Sequence, residues 1–143
     1  MRHNVDMAEI MRRPHVVLAL IEKEGKFALI RRRVATAKVE WAFPGGVVNE
    51  GESDEEAVKR EAMDEVLLEV VVKEKLLERK HPNTFVEVMY FHCKPAGDTQ
   101  LKIGEPDEIS EAEWVDANEV LSRFTSDVHP IIRNFVLAHA KKG

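Results

Sequence analysis

Residues 46–68 read GVVNEGESDEEAVKREAMDEVLL, and this segment decides the fold class and the chemistry that we expect of the chain. Ser53 followed three residues later by Glu56 forms a capping box, the pattern with which many helices begin, so the segment predicts a helix over residues 53–68. Residues 50–69 carry nine acidic and two basic residues, a local charge of −7, whereas the whole chain has a net charge of −5. The negative charge of the chain is therefore concentrated in this loop and helix.

Three carboxylates of the predicted helix share a face with apolar residues. On a helical wheel at about 100° per residue, Glu61, Asp64 and Glu65 fall within one arc of about 100°, and the arc also holds Ala57 and Leu68. Like charges this close repel one another and are costly to desolvate, so they need a positive partner. Mg²⁺ suits them, because it prefers oxygen ligands and commonly bridges carboxylates to a phosphate. The alternative is a solvated acidic helix, whose macrodipole explains the acids of the first turn but not those further along.

The surrounding chain predicts a mixed sheet. Apolar, β-branched-rich runs over residues 15–22 and 26–33 flank Gly25 and predict a hairpin. Residues 70–80 and 84–94 predict two more strands, the second of them central because both of its faces are largely apolar. The other predicted elements are a strand at 111–115 and helices at 116–124 and 127–140. This order of elements predicts an α/β fold, an α/β/α sandwich with a mixed sheet between helices.

The composition bounds the class of protein. A chain of 143 residues, 44% hydrophobic and 33% charged, predicts a single globular domain over residues 1–143, with residues 1–13 as a loose N-terminal tail. The longest apolar run, residues 16–21, is too short to cross a bilayer, and acidic residues interrupt the N-terminal stretch, so we expect a cytoplasmic protein without membrane contact. The negative net charge argues against a protein that coats nucleic acid.

Cysteine and histidine give little evidence of a metal site. Cys93 is the only cysteine, so it can form neither an intrachain disulfide nor a zinc cluster. None of the six histidines is paired at a spacing typical of metal ligands, and we expect His81 and His92 to have structural roles.

The segment quoted above resembles the signature of the Nudix hydrolases. Gly46, Glu52 and the run REAMDE at residues 60–65 stand at the spacings of a glycine, a glutamate and an Arg-Glu-x-x-Glu-Glu motif in that family. Two positions depart from the family pattern. Asp64 stands where a glutamate is usual, and Leu67 stands where a glycine is usual, a residue that suits a left-handed helix cap.

The resemblance implies a pyrophosphohydrolase that acts on a nucleoside diphosphate linked to another group, such as a nucleoside triphosphate or ADP-ribose. It implies Mg²⁺ as the cofactor, with Mn²⁺ as a substitute, and a small phosphorylated nucleotide as the substrate. The implied metal ligands are Glu61, Asp64, Glu65 and the backbone carbonyl of Gly45. Homodimers are common in the family, although the sequence itself does not indicate the oligomeric state.

The implied catalytic residues are Glu61, Glu65, Arg60 and Glu108. Arg60 is expected to pair with an acidic residue such as Glu52 and to orient the metal ligands. The general base varies in this family; a box glutamate is one candidate, and in the later loop Glu108 is the first candidate and Glu111 the second. A solvated acidic loop is an equally good interpretation of those later residues.

The substrate-binding candidates are Arg32, Phe43 and Gly46. One arginine of the cluster at residues 31–33 is expected to meet a phosphate, while strand alternation leaves at least one facing solvent. Phe43, like Phe85 and Tyr90, either stacks on a base or belongs to the core.

Two alternatives to catalysis remain open. The departures at Asp64 and Leu67 are compatible with a Nudix-fold domain that senses a nucleotide without cleaving it. An acidic interaction protein without a ligand pocket is the third possibility.

Overall fold

The computed structural model describes residues 14–33, 41–80, 86–125 and 127–140. Within these residues the chain forms, in order, β1 (His15–Lys23), β2 (Lys26–Arg32), β3 (Trp41–Ala42), β4 (Gly45–Val47), α1 (Asp54–Val66), β5 (Val70–Lys80), β6 (Glu87–Pro95), β7 (Ile109–Asp116), α2 (Ala117–Arg123) and α3 (Pro130–Ala138). The predicted tail at residues 1–13, as well as His81 and Phe85, lies outside the described residues.

The strands form one mixed sheet, as the sequence predicts. Its order is β3-β2-β1-β6-β5, with β4 paired to β1 and β7 paired to β2. The pairing of β1 with β6 is parallel, and the other pairings are antiparallel. The prediction that β6 is a central strand is confirmed, because β6 lies between β1 and β5. The hairpin of β1 and β2 is confirmed as well, and its turn places both Glu24 (φ 49°) and Gly25 (φ 81°) in the left-handed region.

Helices cover both faces of the sheet, so the predicted sandwich is confirmed. On one face, α1 buries Ala57, Val58, Ala62 and Val66 in a core with β1, β2 and β6. On the other face, α2 and α3 bury Ala117, Val120, Ile132 and Val136 against Phe27, Leu29 and Phe43. Each fully buried valine or isoleucine among them contributes roughly 1.5–3 kcal/mol to folding. Among the described helices, none has the length and apolar character needed to cross a membrane.

The observed ends of several elements differ from those predicted. The last helix begins at Pro130 instead of residue 127, since proline fixes φ at the first helical position and His129 Nδ1 accepts a hydrogen bond from the Ile131 N–H. Asp116 precedes α2, but its side chain makes no capping hydrogen bond. The strand predicted at residues 111–115 is longer, because β7 pairs with β2 over most of its length.

The capping box of α1 is confirmed, and the helix ends earlier than predicted. The Glu56 N–H donates to the Ser53 hydroxyl (3.1 Å), and the Ser53 N–H donates to the Glu56 carboxylate (2.9 Å). The last helical residue is Val66, because Leu67 adopts the left-handed conformation (φ 55°, ψ 38°) that terminates a helix. Leu67 thus occupies a conformation that suits the glycine usual in the family.

Replacing Leu67 by glycine is expected to stabilise the fold by about 1 kcal/mol, because the left-handed conformation costs a residue with a Cβ atom roughly 1–2 kcal/mol. The side chain of Leu67 is 45% exposed, so its removal sacrifices few contacts. The free energy of unfolding in urea measures the effect. Leu67→Ala is the matched control, since it removes the same contacts and keeps the Cβ atom; equal stability of the two variants would contradict the strain.

Candidate active site

Glu65 lies at the centre of the candidate site, in the last turn of α1 and with only 3% of the residue exposed. The Gly45 N–H donates a hydrogen bond to Glu65 Oε1 (2.8 Å), and Arg32 Nη1 lies 3.9 Å from Oε2. Burial raises the pKa of Glu65 to about 7, in spite of these two favourable contacts. The nearby carboxylates of Glu61 and Glu105 raise this pKa as well. A buried carboxyl group in such surroundings is typical of sites that hold a cation or transfer a proton.

Arg60 connects the loop before α1 to the carboxylates of the helix. Its Nε and Nη2 donate to the two carboxylate oxygens of Glu52, at 2.7 and 3.0 Å, so the expected pairing of these residues is confirmed. Nη2 also donates to the Val47 carbonyl (3.0 Å), while Nη1 donates to the carboxylates of Glu61 and Asp64. The hydrogen bond to Glu52 raises the pKa of Arg60 further above its usual range, so the guanidinium stays charged. Arg60 therefore holds Glu61 and Asp64 on one side of the site.

Two glycines before α1 make room for different neighbours. A Cβ atom on Gly46 would lie 2.2 Å from Glu61 Oε2, so the absence of a side chain leaves space for that carboxylate. A Cβ atom on Gly45 would lie 2.0 Å from the Val17 carbonyl oxygen of the neighbouring strand. Gly45 therefore keeps the sheet closed while its N–H binds Glu65, and Gly46 sets the position of a second carboxylate.

The loop before β7 packs against the C-terminal end of α1. The Gly104 N–H donates to the Glu65 carbonyl (2.9 Å), and a Cβ atom on Gly104 would lie 1.9 Å from the Asp64 carbonyl oxygen. This close approach brings the next residue, Glu105, beside the carboxylates of the helix.

Glu105 joins the site although the sequence pattern does not single it out. Partial burial raises its pKa, and the carboxylates of Glu108, Glu61 and Asp64 raise it further. Glu108, the first expected candidate for a base in this loop, is exposed, and it acts on the site through the field at Glu105. The glycine before it, Gly104, is the one sequence feature that marks this position. Its close approach to α1 cannot be predicted from residue spacing.

The three arginines at the end of β2 point in different directions. Arg32 turns to the buried carboxylate described above. Arg31 Nη1 donates to Glu111 Oε2 (3.2 Å) across the β2–β7 pair, and Arg33 Nε donates to the Pro106 carbonyl (2.6 Å). Glu111, the second candidate for a base, is thus engaged with Arg31.

Oxygen ligands line this side of α1, which fits a hard divalent cation such as Mg²⁺. The exposed fraction of the side chain rises from 3% for Glu65 to 14% for Glu61 and 46% for Asp64, so the carboxylates run from the core to the solvent. In the described part of the chain, the carboxylate oxygens of Glu61, Asp64 and Glu65 do not all lie within 4.8 Å of one another. Arg60 Nη1 contacts both Glu61 and Asp64 and partly neutralises their charges. Burial is the main cause of the raised pKa of Glu65, and the charges of Glu61 and Glu105 add to it, so a cation at this position would stabilise the ionised carboxylate.

An apolar cavity of about 150 Å³ lies on the other face of the sheet. Its lining includes Trp41, Phe43, Tyr90, Phe124 and Ile132. Phe43 is only 5% exposed and packs edge-to-face against Phe124, with ring centroids 5.1 Å apart. It therefore belongs to the core and to the cavity wall at once. Phe43 is two residues from Gly45, and about 7 Å of extended chain thus separates this cavity from the backbone that binds Glu65.

The chain is similar to several known proteins. The model of the NUDIX domain family matches residues 11–135. An ADP-ribose pyrophosphatase of Methanocaldococcus jannaschii is 36% identical over 121 residues, which cover 82% of this chain and 69% of that protein. A MutT-like protein of Streptomyces ambofaciens is 29% identical over 104 residues, or 73% of this chain and 64% of that protein, just under two thirds of its length. In fold, the chain is similar to a NUDIX hydrolase of Nitrosomonas europaea, with a TM-score of 0.77 at 20% identity over 87% of this chain and 70% of that one.

Proposed function

The chain belongs to the Nudix hydrolase family, and on that premise we propose that it hydrolyses the diphosphate bond of a nucleoside diphosphate linked to another group, with Mg²⁺ as its cofactor. Mn²⁺ is the expected substitute. The observation that carries the proposal is the buried carboxyl of Glu65, which lies near the carboxylates of Glu61 and Glu105. Burial raises its pKa to about 7. A site with this excess of oxygen ligands and negative charge binds a divalent cation better than it binds any neutral ligand.

The residues that would hold Mg²⁺ are Glu61, Asp64 and Glu65, with the backbone carbonyl of Gly45. Bound Mg²⁺ supplies positive charge to the diphosphate and increases the acidity of water. Arg60 is a positioning residue, since its bonds to Glu52 and Val47 fix the guanidinium that contacts Glu61 and Asp64.

Arg32 is a positively charged residue beside the buried carboxylate of Glu65. Its guanidinium lies 3.9 Å from Glu65 Oε2 and is one-third exposed, so it is able to meet a phosphate oxygen from the solvent side. Its neighbours Arg31 and Arg33 are engaged with β7 and the loop before it. Arg32 is therefore the arginine of this cluster that we assign to the substrate.

Proton transfer is assigned to the carboxylates at the end of α1. A carboxyl with a pKa near neutrality accepts a proton efficiently at neutral pH. Burial raises the pKa of Glu65 to about 7 when no metal is bound, and a Mg²⁺ ion on this carboxylate would lower that pKa. Glu105 is the second candidate, because burial and its acidic neighbours also raise its pKa. Glu108 contributes indirectly, because its negative charge raises the pKa of Glu105.

The aromatic cavity is assigned to the nucleobase. Its volume of about 150 Å³ is below the roughly 300–1,000 Å³ of pockets for drug-sized ligands, so it suits one ring system and not a whole nucleotide. The short chain segment between Phe43 and Gly45 leads from this cavity to the carboxylates. The ADP-ribose pyrophosphatase among the relatives makes ADP-ribose the first substrate to test.

A panel of nucleotides tests the proposal. Purified protein is incubated with Mg²⁺ and ADP-ribose, nucleoside triphosphates or dinucleoside polyphosphates, and a coupled phosphatase or pyrophosphatase reports the products. We expect turnover of at least one nucleotide, loss of turnover with a chelator, and little turnover of inorganic pyrophosphate, which lacks a base. Absence of metal-dependent turnover on every member would contradict hydrolysis, whereas equal turnover of pyrophosphate would contradict the role of the cavity.

The alternative function is nucleotide binding without cleavage. The observation that favours it is Asp64, which is shorter than the usual glutamate, 46% exposed and 3.4 Å from the Arg60 guanidinium. Calorimetry with the same nucleotides and either metal distinguishes the two functions. Binding without product over hours would favour a sensor, and product formation would exclude it.

A further inference from the structure

A second cluster of metal-ligand side chains lies on the face of the sheet that α3 covers. Glu22 is in β1, His92 is in β6, and His139 caps the C-terminal end of α3. The Nε2 atoms of His92 and His139 lie 3.8 and 4.0 Å from Glu22 Oε1. The three ligand atoms all lie within 4.8 Å of one another. The side chains are 6% exposed for Glu22, 13% for His92 and 27% for His139, so the cluster is largely buried.

The ring nitrogens of this cluster suit metal coordination. His139 Nδ1 lies 2.9 Å from the Phe135 carbonyl, which can only accept a hydrogen bond, so Nδ1 carries the proton and Nε2 of the neutral ring has a free lone pair. His92 Nε2 is buried and has no hydrogen-bond partner among the described residues. A buried polar atom without a partner calls for an explanation, and a bound ion is one of the usual ones.

Lys94 occupies the position that a cation would take. Its Nζ lies 2.8 Å from Glu22 Oε1, and its side chain is 45% exposed. The other carboxylate oxygen of Glu22 accepts a hydrogen bond from the Gly25 N–H (3.0 Å), which fixes the carboxylate. Because the lysine chain is long and half in solvent, its ammonium is able to leave Glu22 without disturbing the core.

We propose that Glu22, His92 and His139 form a binding site for a divalent transition metal such as Zn²⁺, which displaces the Lys94 ammonium. Two imidazoles and one carboxylate are the ligands that Zn²⁺ uses, whereas Mg²⁺ prefers oxygen alone. At Zn–N distances of about 2.1 Å, tetrahedral ligand atoms lie about 3.4 Å apart. The two separations from Glu22 are 3.8 and 4.0 Å, and the two histidine nitrogens lie within 4.8 Å of each other, so side-chain adjustments of about 1 Å bring the three ligands to this geometry. The site is separate from the carboxylates of α1.

The metal would connect the end of α3 to two strands of the sheet. The rings of Phe27 and Phe135 already pack against His139, at centroid distances of 5.7 and 4.6 Å, and exclude solvent from this side. The N-terminal part of α3 supplies Ile132 to the wall of the aromatic cavity. A metal at this position therefore fixes the helix that forms one wall of the cavity, independently of catalysis.

The test is metal binding to the full chain without a histidine tag, in excess Mg²⁺ so that the carboxylates of α1 are occupied. Zn²⁺ is titrated by calorimetry, and Co²⁺ is used as a spectroscopic substitute. We expect one Zn²⁺ per chain, visible Co²⁺ absorption bands of the intensity typical of tetrahedral coordination, and a rise in melting temperature with Zn²⁺. Thermal unfolding in Zn²⁺ gives a readout that does not depend on hydrolysis.

Three variants distinguish the site from adventitious binding. His139→Asn is expected to lower Zn²⁺ affinity by more than about 100-fold. Loss of a residue that only hydrogen-bonds to a metal ligand costs about 10- to 100-fold, so loss of a ligand itself should cost more. His129→Asn, the same substitution at the other end of α3, keeps an N-cap and is expected to bind Zn²⁺ like the wild type. Lys94→Gln is expected to bind Zn²⁺ more tightly than the wild type, because the competing ammonium is gone.

Zn²⁺ binding that is equal in His139→Asn and the wild type would overturn the site, as would the absence of Co²⁺ bands in the wild type. Because Lys94 is exposed, Lys94→Gln folds even if His139→Asn does not, and weaker or unchanged Zn²⁺ binding in this variant would also overturn the proposal.

Discussion

Glu65→Gln is expected to lower kcat by about 10²–10⁴-fold, the contribution of a general base, while the fold remains intact. Glutamine has the same shape as glutamate, and its carbonyl oxygen still accepts the hydrogen bond that the Gly45 N–H donates at 2.8 Å. The variant loses the negative charge that would hold Mg²⁺ and the oxygen that would take a proton. Steady-state kinetics on the best substrate of the panel measures the effect.

The same variant is expected to be more stable than the wild type when divalent metal is absent. Burial raises the pKa of Glu65 from 4.5 to about 7, so between these pH values the folded state binds more protons than the unfolded state. The contribution of Glu65 to the stability of the wild type therefore falls as the pH rises from about 4.5 to about 7, by about 3 kcal/mol in total. Glutamine does not titrate, so the gain of the variant is complete above pH 7 and absent below pH 4.5.

Urea unfolding in a chelator, at one pH below this window and one above it, measures the difference. Added Mg²⁺ is expected to return stability to the wild type and not to the variant. Glu55→Gln is the matched control, because Glu55 is exposed on the same helix and its charge contributes at most about 1 kcal/mol through the helix dipole. A stability difference between Glu65→Gln and the wild type that does not grow with pH across the window would contradict the assignment.

Gly46→Ala is expected to fold normally and to lose about 10- to 100-fold in activity, the loss typical of a disturbed ligand shell. The new Cβ atom would lie 2.2 Å from Glu61 Oε2, at the far end of a flexible side chain. The carboxylate is able to turn away at little cost to the fold, but it then leaves the side of the site where Arg60 and Asp64 lie. We expect weaker Mg²⁺ binding, with activity partly recovered at high Mg²⁺.

Gly45→Ala makes the matched comparison, because the same methyl group meets backbone instead of a side chain. Its Cβ atom would lie 2.0 Å from the Val17 carbonyl oxygen, so β4 must move away from β1. We expect a loss of stability of about 3 kcal/mol, the upper end of the cost of overpacking. Thermal unfolding and Mg²⁺ titration of both variants measure these effects. Equal melting temperatures, or an unchanged Mg²⁺ affinity in Gly46→Ala, would contradict the different roles of the two glycines.

The sequence alone predicted the features that depend on neighbouring residues. The start of α1 at Ser53 follows from hydrogen bonds between residues three positions apart. The helical period brings Glu61 and Glu65 to one face, and the turn at Gly25 follows from the preference of glycine for positive φ. The pairing of Arg60 with Glu52 was predictable from the family resemblance. The end of α1 was not, because a left-handed Leu67 contradicts the ordinary preference of that residue.

Tertiary structure decided which distant residues meet. Which arginine of residues 31–33 faces Glu65 depends on the register of β2 with its neighbours, and the place of Glu105 depends on how closely Gly104 approaches α1. Glu22, His92 and His139 lie far apart in sequence, so no spacing brings them together. They meet because β1 pairs in parallel with β6, with Leu20 opposite His92, and because α3 packs across both strands. Short sequence patterns determine local hydrogen bonds. Contacts between elements form only when the sheet and its helices bury their apolar faces together.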